Sequence, residues 1–130
     1  MKRTFGIGSI GAEEKKIYEI VKTAQQMALD ALVNGVSGKA LDAVARDYIA
    51  SFGYGAAFGH GLGHGFGLEI HEPPRAAMSS TDTLTAGMTI TVEPGIYVEG
   101  LCGVRIEDCC VVTETGHLNL VSSPKELVLI

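Results

Sequence analysis

The chain has 130 residues, 46% of them hydrophobic and 19% charged, and a formal net charge of -5. That length and balance describe one globular domain with a real core and leave no room for a second. An acidic chain without a clustered Lys/Arg face excludes nucleic acid as a main partner. Its apolar stretches are short and interrupted, and Met1-Lys2-Arg3-Thr4-Phe5-Gly6 lacks the apolar core of a signal peptide, so a cytoplasmic protein without a membrane segment is expected.

Thr4 to Ile7 reads as the end of a strand, with a turn at Gly8-Ser9-Ile10-Gly11. A helix is predicted from Ala12 to Asn34, because Ile17, Ile20, Val21, Ala24, Ala28, Ala31 and Leu32 recur at helical spacing. Glu13 and Glu14 suit its positive N-terminal end, and Gly35 is a natural stop. Ser37 caps a second helix predicted from Gly38 to Phe52, with Leu41, Val44, Ala45, Tyr48 and Ile49 on its inner face and Gly53 after it. Both helices read as scaffold, and Asp30, Asp42 and Asp47 go with them.

The period then changes. Met88 to Glu93 alternates and is rich in β-branched residues, which marks a strand ended by Pro94-Gly95. Gly103 to Thr113 reads as one further strand, with Arg105, Glu107, Cys109 and Val111 on a partly covered face and Asp108 on the other. Short strands near Leu118 to Leu120 and Glu126 to Ile130 finish the chain. The predicted fold class is α+β, two helices packed on one face of a curved, mainly antiparallel sheet.

Between helices and strands lies the segment from Gly59 to Pro74, which holds His60, His64 and His71 among glycines. Glycine at 61, 63, 65 and 67 removes every second side chain, so the backbone can approach a ligand closely. Imidazole is the commonest neutral metal ligand and the usual proton carrier near neutral pH. His64, Glu93 and Glu107 are the candidate ligands, and their mixture of nitrogen and oxygen donors suits Mn, Fe, Co or Zn. Residue types alone leave a merely polar cleft as an equal alternative. Cys102, Cys109 and Cys110 are odd in number and lack CxxC spacing, which reads as free thiols; a nucleophilic role for Cys109 or Cys110 is the minor reading.

The run from His60 to Glu72 closely resembles the signature of the proline-specific metallopeptidases, the Xaa-Pro dipeptidases (prolidases) and Xaa-Pro aminopeptidases (aminopeptidase P). Thr89 to Tyr97 and Gly103 to Asp108 look like that family's two glutamate-ligand strands, in the expected order. Phe66 departs from it, since an aliphatic residue is usual there. Methionine aminopeptidase shares a Gly-His-Gly segment and a histidine seven residues on, but His60 and the Arg105 to Asp108 strand favour the proline-specific branch.

The resemblance implies a pita-bread fold with a two-metal site, manganese first and cobalt or zinc as alternatives. It implies His64, Glu93 and Glu107 as metal ligands, with Glu107 bridging. His71 would stabilise the oxyanion and Glu93 would carry a proton to the leaving nitrogen. His60, His71, Arg105 and Tyr97 are implied to handle a peptide substrate with proline after the scissile bond. For His60 and His71 the plainer alternative is support of the ligands, and for Arg105 it is pairing with Glu107 or Asp108. Glu69 and Glu72 are expected to face solvent, and His117 to be a surface turn residue. The family's site also uses two aspartates, the second directly before a segment like Arg3-Thr4-Phe5. Residues 1-130 are therefore expected to be the C-terminal part of the catalytic domain, weak or inactive alone, associating with itself or with an upstream half-domain, or else surviving as a non-catalytic binding half.

Overall fold

An apolar stripe at helical spacing needs a facing surface, and the two helices find it in each other and in the strands that follow. The computed structural model describes residues 1-130. Helix α1 (Ala12–Asp30) buries Ile17, Tyr18, Ile20, Val21, Ala24, Gln25, Ala28 and Leu29, with Glu13 and Glu14 in its first turn. It stops at Asp30 rather than Asn34 because the polar groups beyond are engaged from outside the helix. Asn34 accepts from the Ala86 N–H at 3.1 Å and donates to Glu114 at 3.3 Å, while the Gly35 N–H donates to the Leu84 carbonyl at 2.7 Å. Helix α2 (Gly38–Ser51) begins as expected, with the Ser37 hydroxyl accepting from the Ala40 N–H at 3.1 Å. Its fully buried positions include Leu41, Ala45 and Ile49 but also Asp42, whereas Val44 and Tyr48 are only half-buried. No helix is long and apolar enough to cross a membrane.

The remaining elements are a 3-10 turn (Gly55–Ala57) and nine short strands: β1 (Phe5–Gly6), β2 (Gly63–Gly65), β3 (Glu72–Ala76), β4 (Thr89–Val92), β5 (Gly95–Val98), β6 (Cys102–Arg105), β7 (Asp108–Thr113), β8 (Gly116–Asn119) and β9 (Val128–Leu129). They form four small sheets instead of one continuous sheet. The largest has the order β4-β7-β8 and is antiparallel, as are β2-β3 and β5-β6; β1 and β9 pair in parallel. Ile90, Val92, Ile96, Val104 and Ile106 from these strands share one core with Ile17, Val21, Leu41 and Ile49 of the helices. The architecture is α+β, with helices and mainly antiparallel strands as predicted.

One predicted strand is two. Gly103 to Thr113 breaks after Arg105, because the N-terminal segment bonds to the chain at the corner. The Thr4 hydroxyl accepts from the Arg105 N–H at 3.1 Å and donates to the Arg105 carbonyl at 3.0 Å, and Lys2 and Glu107 exchange two main-chain hydrogen bonds. Arg105 ends β6 and Asp108 starts β7, so alternation no longer relates them. The fully buried face of β7 is Asp108, Cys110 and Val112, not the face of Cys109 and Val111 expected to be covered.

Asp108 is the centre of a buried polar cluster. Arg3 Nη2 lies 2.8 Å from one carboxylate oxygen, and the other accepts from Gln25 at 3.0 Å and Asn119 at 2.7 Å and pairs with Lys125 at 2.6 Å. Arg3 also donates to the carbonyls of Lys2, Glu107, Ser123 and Pro124. Burial by itself raises the Asp108 pKa, but the bonds from Lys125, Gln25, Asn119 and Arg3 outweigh it and hold the carboxyl at about 2. Burial likewise pushes the Cys110 thiol up to about 12, helped by the charge of Asp108 and by Cys109, which makes it an inert core group.

A folded-state pKa below the ordinary 3.8 places this stabilisation above about pH 4 and removes it as pH falls toward 2. The shift corresponds to about 2 kcal/mol. Urea unfolding followed from about pH 5 to about pH 2 will show that loss in the wild-type chain. Asp108→Asn will be less stable at neutral pH and flatter across the acid range.

Candidate active site

Gly63 and Gly65 allow β2 to lie where no other residue could. A Cβ at 63 would stand 1.8 Å from the Thr91 carbonyl oxygen, and one at 65 would stand 2.3 Å from that of Pro73. The alternating glycines at these two positions therefore serve strand packing, whereas the sequence pattern suggested close approach to a ligand. The β2-β3 ladder sets His64 opposite Arg75 and carries a bulge between His64 and Gly65, the kind of irregularity that re-aims a side chain. The result is a cavity of about 240 Å³ lined by His60, Gly61, Gly63, His64, His71, Arg75, Ala77, Glu93 and Arg105.

Glu93 is the most heavily engaged group in it. One carboxylate oxygen accepts from the Thr91 hydroxyl at 2.9 Å and lies 3.0 Å from His64 Nε2; the other accepts from Arg105 Nη1 at 3.1 Å. The Thr91 hydroxyl also accepts from the His64 N–H at 3.0 Å, so one side chain ties the backbone of β2 to the carboxylate beyond β4. The Glu93 N–H donates to the Leu62 carbonyl at 2.8 Å. The His64 ring lies beside that of His71, centroids 4.2 Å apart.

The contacts of His64 define what the pair can bind. Nδ1 is 2.9 Å from the Gly65 carbonyl and Nε2 is 3.0 Å from the Glu93 carboxylate, both of which only accept, so the single proton of a neutral ring serves one of them; with it on Nδ1, Nε2 turns a lone pair toward the carboxylate. Two lone pairs facing each other at this distance call for a cation, either a proton or a metal ion. Adjacent ligands of an octahedral ion bonded at about 2.1 Å are themselves about 3 Å apart, so His64 and Glu93 fit as two neighbouring ligands. No three histidine, cysteine, aspartate or glutamate side chains of the chain converge as a metal-holding group. Glu107 is buried, with its carboxylate 3.5 Å from the N-terminal ammonium, and does not line the cavity.

The other expected residues fall around the same cavity. His60 Nδ1 is 2.8 Å from the Gly61 carbonyl and Nε2 is 3.0 Å from the Tyr97 hydroxyl, which therefore donates to it. Burial raises the Tyr97 pKa, Glu93 adds to the rise and Arg105 opposes it, so the phenol keeps its proton. Arg105 pairs with Glu93 rather than with Glu107 or Asp108, and its buried Nε has no protein partner. Glu69 is exposed, but Glu72 is half-buried and accepts from the Glu69 N–H at 3.1 Å. His117 is not a free surface residue: it is the second residue of β8, half-buried, with Nδ1 3.2 Å from the Leu32 carbonyl.

Sequence reasoning missed Thr91 and Arg75. Period two alone puts Thr91 on the Glu93 face of its strand, a usable signal. Arg75 carried none, because its place in the wall depends on the β2-β3 register.

Comparison with known proteins agrees with the geometry. The pattern of metallopeptidase family M24 matches residues 1–114, and the chain belongs to that family. It is 46% identical to the Xaa-Pro dipeptidase of Pyrococcus horikoshii over 97% of its own length and 36% of that protein. The structure of an Xaa-Pro dipeptidase from Bacillus anthracis superposes with a TM-score of 0.96 at 48% identity, over 98% of this chain and 36% of that one. An X-Pro aminopeptidase from Thermotoga maritima superposes at 0.94 with 44% identity, again over 98% and 36%. The chain spans about a third of the length of these relatives, and its helices and ladders form a partial pita-bread fold.

Gly63→Ala forces the Thr91 carbonyl away and costs at least about 2 kcal/mol, read by urea unfolding. Gly59→Ala, whose new methyl meets nothing within 4 Å, changes stability by less than about 1 kcal/mol.

Proposed function

We propose that this chain supplies part of the active centre of a proline-specific metallopeptidase, which hydrolyses the bond before proline in dipeptides or at peptide N-termini. The observation that carries the reading is His64 Nε2 facing the Glu93 carboxylate at 3.0 Å, in a cavity shared with His60, His71 and Arg105. His64 and Glu93 would hold a divalent ion, with Glu107 as a further carboxylate. When bound, such an ion, manganese first and cobalt or zinc as alternatives, lowers the pKa of a water and polarises the scissile carbonyl.

The chain's own residues do the rest. His71, exposed beside His64, donates to the carbonyl oxygen as negative charge develops there. Glu93 takes the proton of the attacking water and returns it to the leaving nitrogen; a carboxylate has about four acceptor positions, so it keeps room for this beside its bonds from Thr91 and Arg105. Arg105 holds the Glu93 carboxylate in place. His60, its ring fixed by Gly61 and Tyr97, forms the cavity wall, and Arg75 and Arg105 give that wall the positive charge that suits a peptide carboxylate.

The remaining ligands and the remaining cover belong, on this reading, to an upstream half-domain. Phe5, Ile7, Leu68 and Ile70 are exposed, Leu68 completely, and await an apolar partner. The free thiols Cys102 and Cys109 suit a reducing, cytoplasmic setting. A second reading, a binding half without catalysis, is favoured by the position of Glu107, which does not line the cavity of His64 and Glu93.

The test is manganese binding after dialysis, together with hydrolysis of an Xaa-Pro dipeptide by the chain alone and mixed with the upstream portion of a relative. Weak binding and slow turnover alone, with hydrolysis rising at least a hundredfold in the mixture, is the expected result. His64→Ala lowers metal affinity by on the order of a hundredfold or more. Two tightly held ions and full turnover by the chain alone would overturn the need for a partner, and silence of the mixture would overturn the peptidase reading.

A further inference from the structure

Asp42 and Arg46 look, in sequence, like an ordinary surface pair four apart on a helix, a kind that contributes little. In the fold they are neither on the surface nor confined to the helix. Their side chains are 1% and 13% exposed. Arg46 Nε and Nη2 bind the two Asp42 oxygens at 2.6 and 2.9 Å, and the guanidinium then extends to the glycine-rich segment. Nη1 donates to the Phe58 carbonyl at 2.8 Å and Nη2 to the His60 carbonyl at 2.7 Å. Asp42 accepts from the Leu62 N–H at 2.9 Å. Main-chain groups at 58, 60 and 62 are thus all held by one ion pair on α2.

We propose that Arg46, held by Asp42, is a positioning residue for His60 and His64. The proposal rests on the reading above that these histidines belong to an active centre. The coupling runs along two contacts. Arg46 lies over the Phe58 ring at 4.1 Å, and the Phe58 ring meets the His60 ring edge-on at 5.1 Å, so the cation, the phenyl and the imidazole form one stack. With its carbonyl turned to Arg46, His60 presents its ring to Tyr97 and the cavity. Leu62, fixed through its N–H, offers its own carbonyl to the Glu93 N–H and leads directly into His64. The planar fork of arginine can meet a carboxylate and two carbonyls together, whereas lysine, a single point donor, cannot hold that geometry.

Long-range proton–nitrogen spectra of the histidine rings in the labelled chain test this without requiring catalysis, because they report which ring nitrogen carries the proton. In the wild-type chain His60 gives the pattern of one tautomer, protonated on Nδ1. Arg46→Lys, with unchanged far-UV circular dichroism, is expected to lose that pattern for an averaged one and to shift His64, while His117, bonded to Leu32 from β8, stays as it was. If Arg46→Lys does not fold, Asp42→Asn decides by the same criterion, since it keeps an acceptor oxygen for Leu62 and weakens only the hold on Arg46. Unchanged His60 and His64 rings in the folded variant, or an equal change at His117, overturns the proposal. Hydrolysis by the reconstituted mixture is followed in parallel and falls by on the order of 10 to 100-fold in kcat. Altered rings in a mixture that is silent even as wild type would count against the peptidase reading and leave the positioning intact.

Discussion

A carboxylate with no exposed surface can stay charged only if the fold brings it donors, and Asp108 gathers four from separate regions of the chain. Arg3 comes from the N-terminal segment, Gln25 from α1, Asn119 from β8 and Lys125 from the C-terminal segment. The two chain ends have little regular structure of their own, since β1 and β9 are only two residues long. Their common obligation to one buried charge is what closes the chain ends over the helices and strands. Arg3 in turn spends its other donors on the carbonyls of residues 2, 107, 123 and 124, so the same cluster keeps Lys2 and Thr4 at the corner between β6 and β7. That corner turns Arg105 toward Glu93.

The cavity is thus built from both sides by indirect means. On one side the N-terminal segment bends the glutamate strand and aims Arg105; on the other, α2 holds the histidine segment through main-chain groups. Thr91 joins the two, bonding the backbone of His64 and the carboxylate of Glu93 with one hydroxyl. None of these three devices contributes a donor atom to an ion, yet each sets where such an atom stands.

Much of this was legible in the sequence, and the limits follow a physical rule. The two helices and strand β4 announce themselves through local periodicity, and the histidine run through a composition that packing alone does not explain. Motif resemblance then found the family. What stayed hidden depends on partners far along the chain. The break in the predicted strand from Gly103 to Thr113 is made by Lys2 and Thr4, about a hundred residues away. The end of α1 is decided by Leu84, Ala86 and Glu114. Asp42 and Arg46 have a spacing shared by countless exposed helix pairs, and only the fold shows them buried. The function of Gly63 and Gly65 was misread for the same cause, since the obstacle they avoid is a neighbouring strand.

The tight contact at Gly63 has a consequence for how such a centre can diversify. A wall whose backbone touches the next strand's carbonyl admits no side chain, and no compensating change nearby can make room, because the obstruction is itself main chain. Room for change around the cavity therefore lies in side chains that do not share that contact, such as Arg75 and Ala77. Steric exclusion between two strands thus fixes this wall of the centre, and the side chains that line the cavity stand on it.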